Sequence, residues 1–170
     1  MSHDLMALAQ QFSEEDKEIL ASIEESLIFQ SFDSQAALAL GVLLVEEAVA
    51  FGEEPAIRIK RLSDGAAIFQ YIGNSGGERN IGFALRKMVA VRATGFSSLY
   101  SLALLGDNPQ LLDLERTLPV AGALPIKVAG EMVAILGISG LHHGNDHRLL
   151  MQVLSNFLGV KLPEYKGLII

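Results

Sequence analysis

Two hairpin signatures, with amphipathic helical stretches around them, predict an α+β protein whose largely antiparallel sheet is flanked by helices. In the first hairpin Ile57, Ile59 and Leu62 alternate with Arg58, Lys60 and Arg61, Ser63-Asp64-Gly65 supplies a turn, and Ala66 to Ile72 returns. In the second, Leu124 to Val128 and Met132 to Ser139 flank a turn at Ala129-Gly130. Strands joined by so few residues must run antiparallel, because a parallel pair needs a long crossover.

The remaining elements follow in order. Residues 4–25 read as helix, since Leu5, Leu8, Phe12, Ile19 and Ile23 recur at helical spacing among acids. Ser13 with Asp16 resembles a capping box and marks a break. Leu27-Ile28-Phe29 is a short extended stretch. Asp33 and Ser34 cap a strong helix that runs to about Phe51 and is closed by Gly52. After the loop Gly73–Gly77 a third helix spans about Glu78 to Thr94, and Ser97 to Leu105 is a shorter helix or a strand. Asn108-Pro109 opens an irregular connection. Asn145 is expected to cap a last helix to about Leu158. Pro163 and Gly167 then lead to Leu168-Ile169-Ile170, suited either to docking on a neighbour or to tucking into its own core. With no repeat, low-complexity tract or linker, residues 1–170 are expected to form a single domain.

Composition narrows the function. Thirteen Lys and Arg stand against twenty Asp and Glu, a net charge of −7, which argues against a nucleic-acid binder, since phosphate contacts need clustered cations. No apolar run reaches the roughly 18–20 residues of a membrane span; Ala36 to Phe51 is interrupted by Glu46-Glu47. Met1-Ser2-His3-Asp4 lacks a basic signal-peptide start, so a cytoplasmic location with neither membrane nor nucleic acid as partner is expected. Hydrophobic residues nonetheless make up 50% of the chain, and subunit contacts in a homo-oligomer are the natural place for the surplus. Cysteine is absent, which excludes disulfides, thiolate catalysis and cysteine-ligated metals.

Three groups of residues offer chemistry. On the third helix Ile81, Ala84, Leu85, Met88 and Val91 share one face, Arg92 falls within that apolar sector, and Lys87 sits on its flank. An inward Arg92 requires a carboxylate or an anion, and Lys87, Ser97 and Ser98 would then complete an anion pocket; the alternative is a frayed helix end with Arg92 in solvent. The Gly73–Gly77 loop stands between a strand and a helix, where backbone amides can hold an anion, but it lacks phosphate-loop spacing and reads more simply as a connection. His142, His143, Asp146 and His147 are the densest set of potential metal or haem ligands, although Asp146 at a helix start is also explained by the helix dipole. A hydrolase arrangement of Asp146–His147 with Ser97 or Ser98 is a further alternative. No Gly-x-Ser-x-Gly supports it, and Ser139-Gly140 reads as a strand end. Whether the chain is an enzyme stays open.

Several stretches resemble one family. Asn80-x-x-Phe83-x-x-Arg86-Lys87-x-x-x-Val91 followed by Ser97-Ser98, then Ala121-Gly122-Ala123-Leu124-Pro125-Ile126, Gly137-Ile138-Ser139-Gly140-Leu141 and Asp146-His147, are similar to HbpS-like proteins, also called GlcG-type or haem-degrading-domain proteins. Phe29 to Leu44 adds to the likeness. The chain departs from the pattern at Phe83, Ala121 and Leu124, where relatives usually carry Trp, Gly and Phe. The resemblance implies a profilin-like fold and dimers assembling into larger closed oligomers. It also implies haem as a possible cofactor, with His142, His143, Asp146 and His147 as candidate ligands. The combined expectation is a homo-oligomeric protein binding a small ligand or another protein, with haem binding or degradation as the alternative. Its site would be built from Asn80, Lys87, Arg92, Ser97, Ser98, Pro125 and Ser139.

Overall fold

A computed structural model describes residues 2–142 and 144–170. The chain opens with α1 (Ser2–Ala9) and α2 (Glu14–Ser26), separated where Ser13 and Asp16 form the expected capping box: each side chain accepts the other's backbone N–H. α3 (Ser34–Ala50) starts at Asp33, whose carboxylate accepts the Ala36 N–H. β1 (Ala56–Arg61) and β2 (Ala67–Ile72) form the first hairpin. α4 (Gly77–Thr94) and α5 (Ser98–Leu105) follow, then β3 (Ala123–Val128), β4 (Glu131–Ser139) and α6 (Asn145–Leu158). The stretch left open as helix or strand is thus the helix α5. Asn145 does not cap α6: that position belongs to Gly144, at φ +75°, which makes no side-chain capping bond.

The four strands make one antiparallel sheet in the order β2-β1-β4-β3. Side chains alternate across it, as strand geometry requires. Ile57, Ile59, Leu124, Ile126, Leu136 and Ile138 point into the main core, which the helices also fill, α4 only with Ala90 and, partly buried, Phe83. The opposite face is covered by α4, with Met88 and Val91 on Ala123 and Ile135, and Ile81 and Ala84 on Ala56. Gly137 of β4 is what lets α4 lie so close, since a Cβ there would fall 2.5 Å from Met88 Cγ.

The final segment has no regular structure and stays with its own chain. Ile170 O accepts the Ala121 N–H at 2.7 Å, Tyr165 Oη donates to Leu168 O, and Leu168, Ile169 and Ile170 pack on the main core. Of the two placements open to this tripeptide, the fold takes the intramolecular one. Among the described residues no single helix is long and apolar enough to cross a membrane.

Candidate ligand cleft

The one candidate cation that turns inward is Lys87. On α4 it is 3% exposed, and its ammonium donates to Asp146 Oδ2 at 2.8 Å and to Ile138 O at 3.1 Å. Asp146, on the first turn of α6, accepts the Leu141 N–H with its other oxygen. One ion pair therefore ties together α4, the end of β4 and the start of α6. Burial pushes the Asp146 carboxyl above its ordinary range, and Lys87 pulls it back. Gly122, at φ +127°, makes the approach possible: a Cβ there would stand 2.7 Å from Lys87 Nζ and 2.5 Å from Ile138 O.

Arg92 corrects the sequence reading. It is exposed on the last turn of α4, because the helix ends at Gly95 before any element closes over it. The helix wheel placed Arg92 in the apolar sector and Lys87 on the flank; in the fold the sheet and α6 meet α4 on Lys87's side. The anion pocket built on Arg92 is lost with it. Ser97 caps α5, accepting the Tyr100 N–H, while its own N–H donates to Glu24. Ser98 is fully buried and spent on Ala123, accepting its N–H and donating to its carbonyl. Pro125 is buried opposite Ile135 on the edge strand β3, where a missing N–H is tolerated. Neither serine is available to an Asp146–His147 hydrolase arrangement, since Asp146 is committed to Lys87.

Above the ion pair lies a two-lobed cleft. One lobe, about 380 Å³, is lined by Phe83, Leu118, Val120, Leu141, Ile169 and Ile170 around Lys87 and Asp146. The other, about 390 Å³, is bounded by Arg79, Asn80, Gly140 and His142, and the lobes share Phe83, Ser139, Leu141 and Asp146. Each is within the usual size range of ligand pockets. Arg79 lies over the Phe83 ring at 5.6 Å, and among the described residues the Asn80 side chain makes only a long 3.4 Å bond to Ser75 O. Ser139 is 5% exposed and lines both lobes, and among the described residues its hydroxyl makes no hydrogen bond. The cleft thus joins an apolar wall, a free hydroxyl and a neutralised charge pair.

Five of the candidates read from the sequence meet here: Asn80, Lys87, Ser139, His142 and Asp146. His142 is on the outer rim, its Nδ1 3.0 Å from Glu53 Oε1. His143 lies outside the described residues. His147 faces away, into a separate cleft of about 640 Å³ between α6 and the final segment, where its ring meets Tyr165 edge-on. Burial holds its imidazole down at about 4, so it is neutral at pH 7. Among the described residues no three His, Cys, Asp or Glu side chains gather as a metal site. The apolar wall of Leu118, Val120, Ile169 and Ile170 escaped sequence reasoning, because nothing local in the chain marks those segments as neighbours of α4.

Comparison with known proteins agrees with this architecture. A UPF0303 protein of Burkholderia mallei is 33% identical over 152 residues, covering 85% of this chain and 90% of its own. The crystal structure of Ybr137w protein superposes with a TM-score of 0.76 at 25% identity, covering 86% of this chain and 90% of that one. The PduOC:heme complex shares the fold, at a TM-score of 0.64 and 16% identity over 79% of this chain and 99% of that one. The α+β fold is therefore the antiparallel sheet flanked by helices that the sequence predicts, in the profilin-like form that the resemblance implies. The family model described as "Haem degrading protein HbpS-like" matches residues 32–155, and this chain belongs to that HbpS-like family.

Proposed function

We propose that this chain is a homo-oligomeric binding protein that seats a small, partly polar ligand in the cleft over the Lys87–Asp146 pair. The observation that carries the reading is Ser139, a buried residue lining both lobes whose hydroxyl has no partner among the described residues and opens onto the cleft. Buried polar groups are normally satisfied. A ligand oxygen or nitrogen satisfies this one while the ligand's apolar part lies on Phe83, Val120 and Ile169. The ion pair beneath supports the same reading, because a buried pair is a poor source of stability and a good source of fixed geometry. Residues 1–170 are taken to act as one unit, since α1, α2 and the final segment pack into the same core as the matched region. The cytoplasmic setting expected from the sequence is kept as part of the proposal.

The test is a thermal-shift screen of small carboxylic acids, alcohols and amides against the wild type and Ser139→Ala. A true ligand at a hundredfold excess over its Kd adds about 2.7 kcal/mol, or roughly 5–10 °C in Tm, and the alanine variant loses most of that rise. If no compound shifts the wild type, or the shift survives in Ser139→Ala, the reading fails.

Haem is the second reading, favoured by His147. Its imidazole is neutral, makes no hydrogen bond among the described residues, and faces the larger cleft, whose lining includes Met151, Tyr165, Arg148, Lys161 and Lys166. These residues fit the group: a neutral imidazole suits iron, and the three cations suit propionates. Haem would bring its iron's redox and oxygen chemistry; the chain would hold it with the His147 imidazole, the cations Arg148, Lys161 and Lys166, and the apolar wall. Titration of haem should then give a Soret shift that His147→Ala abolishes. An unshifted spectrum, or one indifferent to that substitution, removes the reading.

A further inference from the structure

The outer lobe of the cleft gathers hydrogen-bond donors that the fold leaves unspent. Arg79 is exposed at its mouth, and among the described residues its guanidinium meets only the face of the Phe83 ring. It is a cation without a carboxylate in a chain of net charge −7. The next residue, Asn80, is seated between two glycines of positive φ, Gly76 at +76° and Gly140 at +111°, and a Cβ on either would run into its amide. The amide held there makes one long bond among the described residues, 3.4 Å to Ser75 O, so most of its donor capacity is free. Ser139, just before Gly140, is 5% exposed and brings its hydroxyl to the same lobe. α4 itself enters through Gly76 without a side-chain cap, which leaves the positive end of an 18-residue helix at this spot. Glu78, the acid of its first turn, is exposed and does not line the cleft.

The acceptors nearby are already engaged. Asp146 accepts from Lys87 with one oxygen and from the Leu141 N–H with the other. Glu53, behind the rim, accepts the His142 N–H and lies 3.0 Å from its ring nitrogen. A ligand head that donates, an ammonium above all, would have to break one of these arrangements. A head that accepts would not. The inner lobe differs in kind, since the side chains of Phe83, Leu118, Val120, Leu141 and Ile169 offer it no hydrogen bond.

We infer that the ligand of this cleft is a small monocarboxylic acid with an apolar body, of the arylacetic type. Its carboxylate lies in the outer lobe against Arg79, the Asn80 amide and the Ser139 hydroxyl, and its ring lies beside Phe83 in the inner lobe. The planar guanidinium matches a carboxylate in shape as well as in charge. A phosphate monoester would bring up to two charges, and Asp146 and Glu53 repel the second; Glu53 is close enough to act on the Asp146 carboxyl. A carboxylate brings one, which Arg79 balances. The inner lobe, at about 380 Å³, is near the lower end of the ~300–1,000 Å³ spanned by ligand pockets, and so suits one ring better than a long chain.

The assignment rests on the cleft as a ligand site and narrows it to one chemical class. Calorimetric titration at neutral pH tests it with phenylacetate, with uncharged phenethyl alcohol, and with phenyl phosphate as the more highly charged head. The proteins are the wild type, Arg79→Gln and Ser139→Ala. Without ligand they should unfold at similar temperatures, because Arg79 is exposed and the Ser139 hydroxyl makes no bond among the described residues. The wild type is expected to bind phenylacetate about tenfold more tightly than either other compound, on the scale of one charge-assisted hydrogen bond. Arg79→Gln should lose that preference and hold phenethyl alcohol as before, whereas Ser139→Ala should weaken both. Equal binding of acid and alcohol, a phosphate that binds best, or a preference that survives Arg79→Gln overturns the carboxylate and leaves the cleft standing. Binding indifferent to Ser139→Ala overturns cleft and carboxylate together. A wild type that takes up none of the three overturns the carboxylate, and the wider thermal-shift screen then decides the cleft.

Discussion

Lys87→Met is expected to destabilise the protein by about 3–5 kcal/mol, the usual consequence of stranding one member of a buried ion pair. Methionine keeps the length of the side chain and removes the ammonium. Asp146, 7% exposed, then loses the cation paired with it among the described residues, and Ile138 O loses a donor. Charge rather than volume is thus the quantity altered. Lys87→Met/Asp146→Leu should recover most of the loss, because removing both charges also removes the need to desolvate them. Urea unfolding measures this: the midpoint falls sharply for the single variant and returns for the double one, with the slope unchanged. The coupling energy from the full cycle then belongs to the pair itself. A single variant within about 1 kcal/mol of wild type would mean the pair is solvated, and the floor of the cleft with it.

The second large effect is on pH. His147 titrates at about 4 in the fold, against roughly 6.5 in an unfolded chain. Above about pH 6.5 neither state is protonated and the residue contributes no pH dependence. As the pH falls from there toward 4, the unfolded chain takes up a proton that the folded chain refuses, and stability is lost. A gap of about 2.5 units corresponds to about 3 kcal/mol once the pH is below both values. His147→Phe keeps a ring against Tyr165 and removes the titration. The wild type should therefore lose about 3 kcal/mol relative to His147→Phe between neutral pH and ~4. Stability curves running parallel across that window would place His147 in solvent and withdraw it as a candidate iron ligand. Asp146 has the opposite sign: its carboxyl is raised by burial, so protonation favours the fold as the pH drops, which is why the variant comparison rather than the wild-type curve is decisive.

Most of the architecture was legible because its signals act over a few residues. The capping box at Ser13–Asp16, the Asp33 cap, the period-two run from Ile57 and the turn at Ala129-Gly130 each depend on neighbours within one turn or one hairpin, and each appears in the fold. Where a local rule had to choose between equals, it chose less well. Asn145 was preferred as a cap by residue type, yet the backbone enters α6 through the left-handed conformation that Gly144 adopts.

The sequence alone determined the helices apart from α5, the two hairpins and the antiparallel sheet, and carried the family resemblance. Only the tertiary structure decided which charge goes inside. Lys87 and Asp146 stand 59 residues apart, and no periodicity within α4 or α6 reports that their ends converge. Arg92 satisfied the helical pattern just as well and is exposed, because the chain turns away at Gly95. Asp146 and His147 are adjacent in the sequence yet open onto different clefts, since consecutive residues on a helix point about 100° apart. Local propensity sets the elements; the cost of burying a charge, settled between segments far apart in the chain, sets the site.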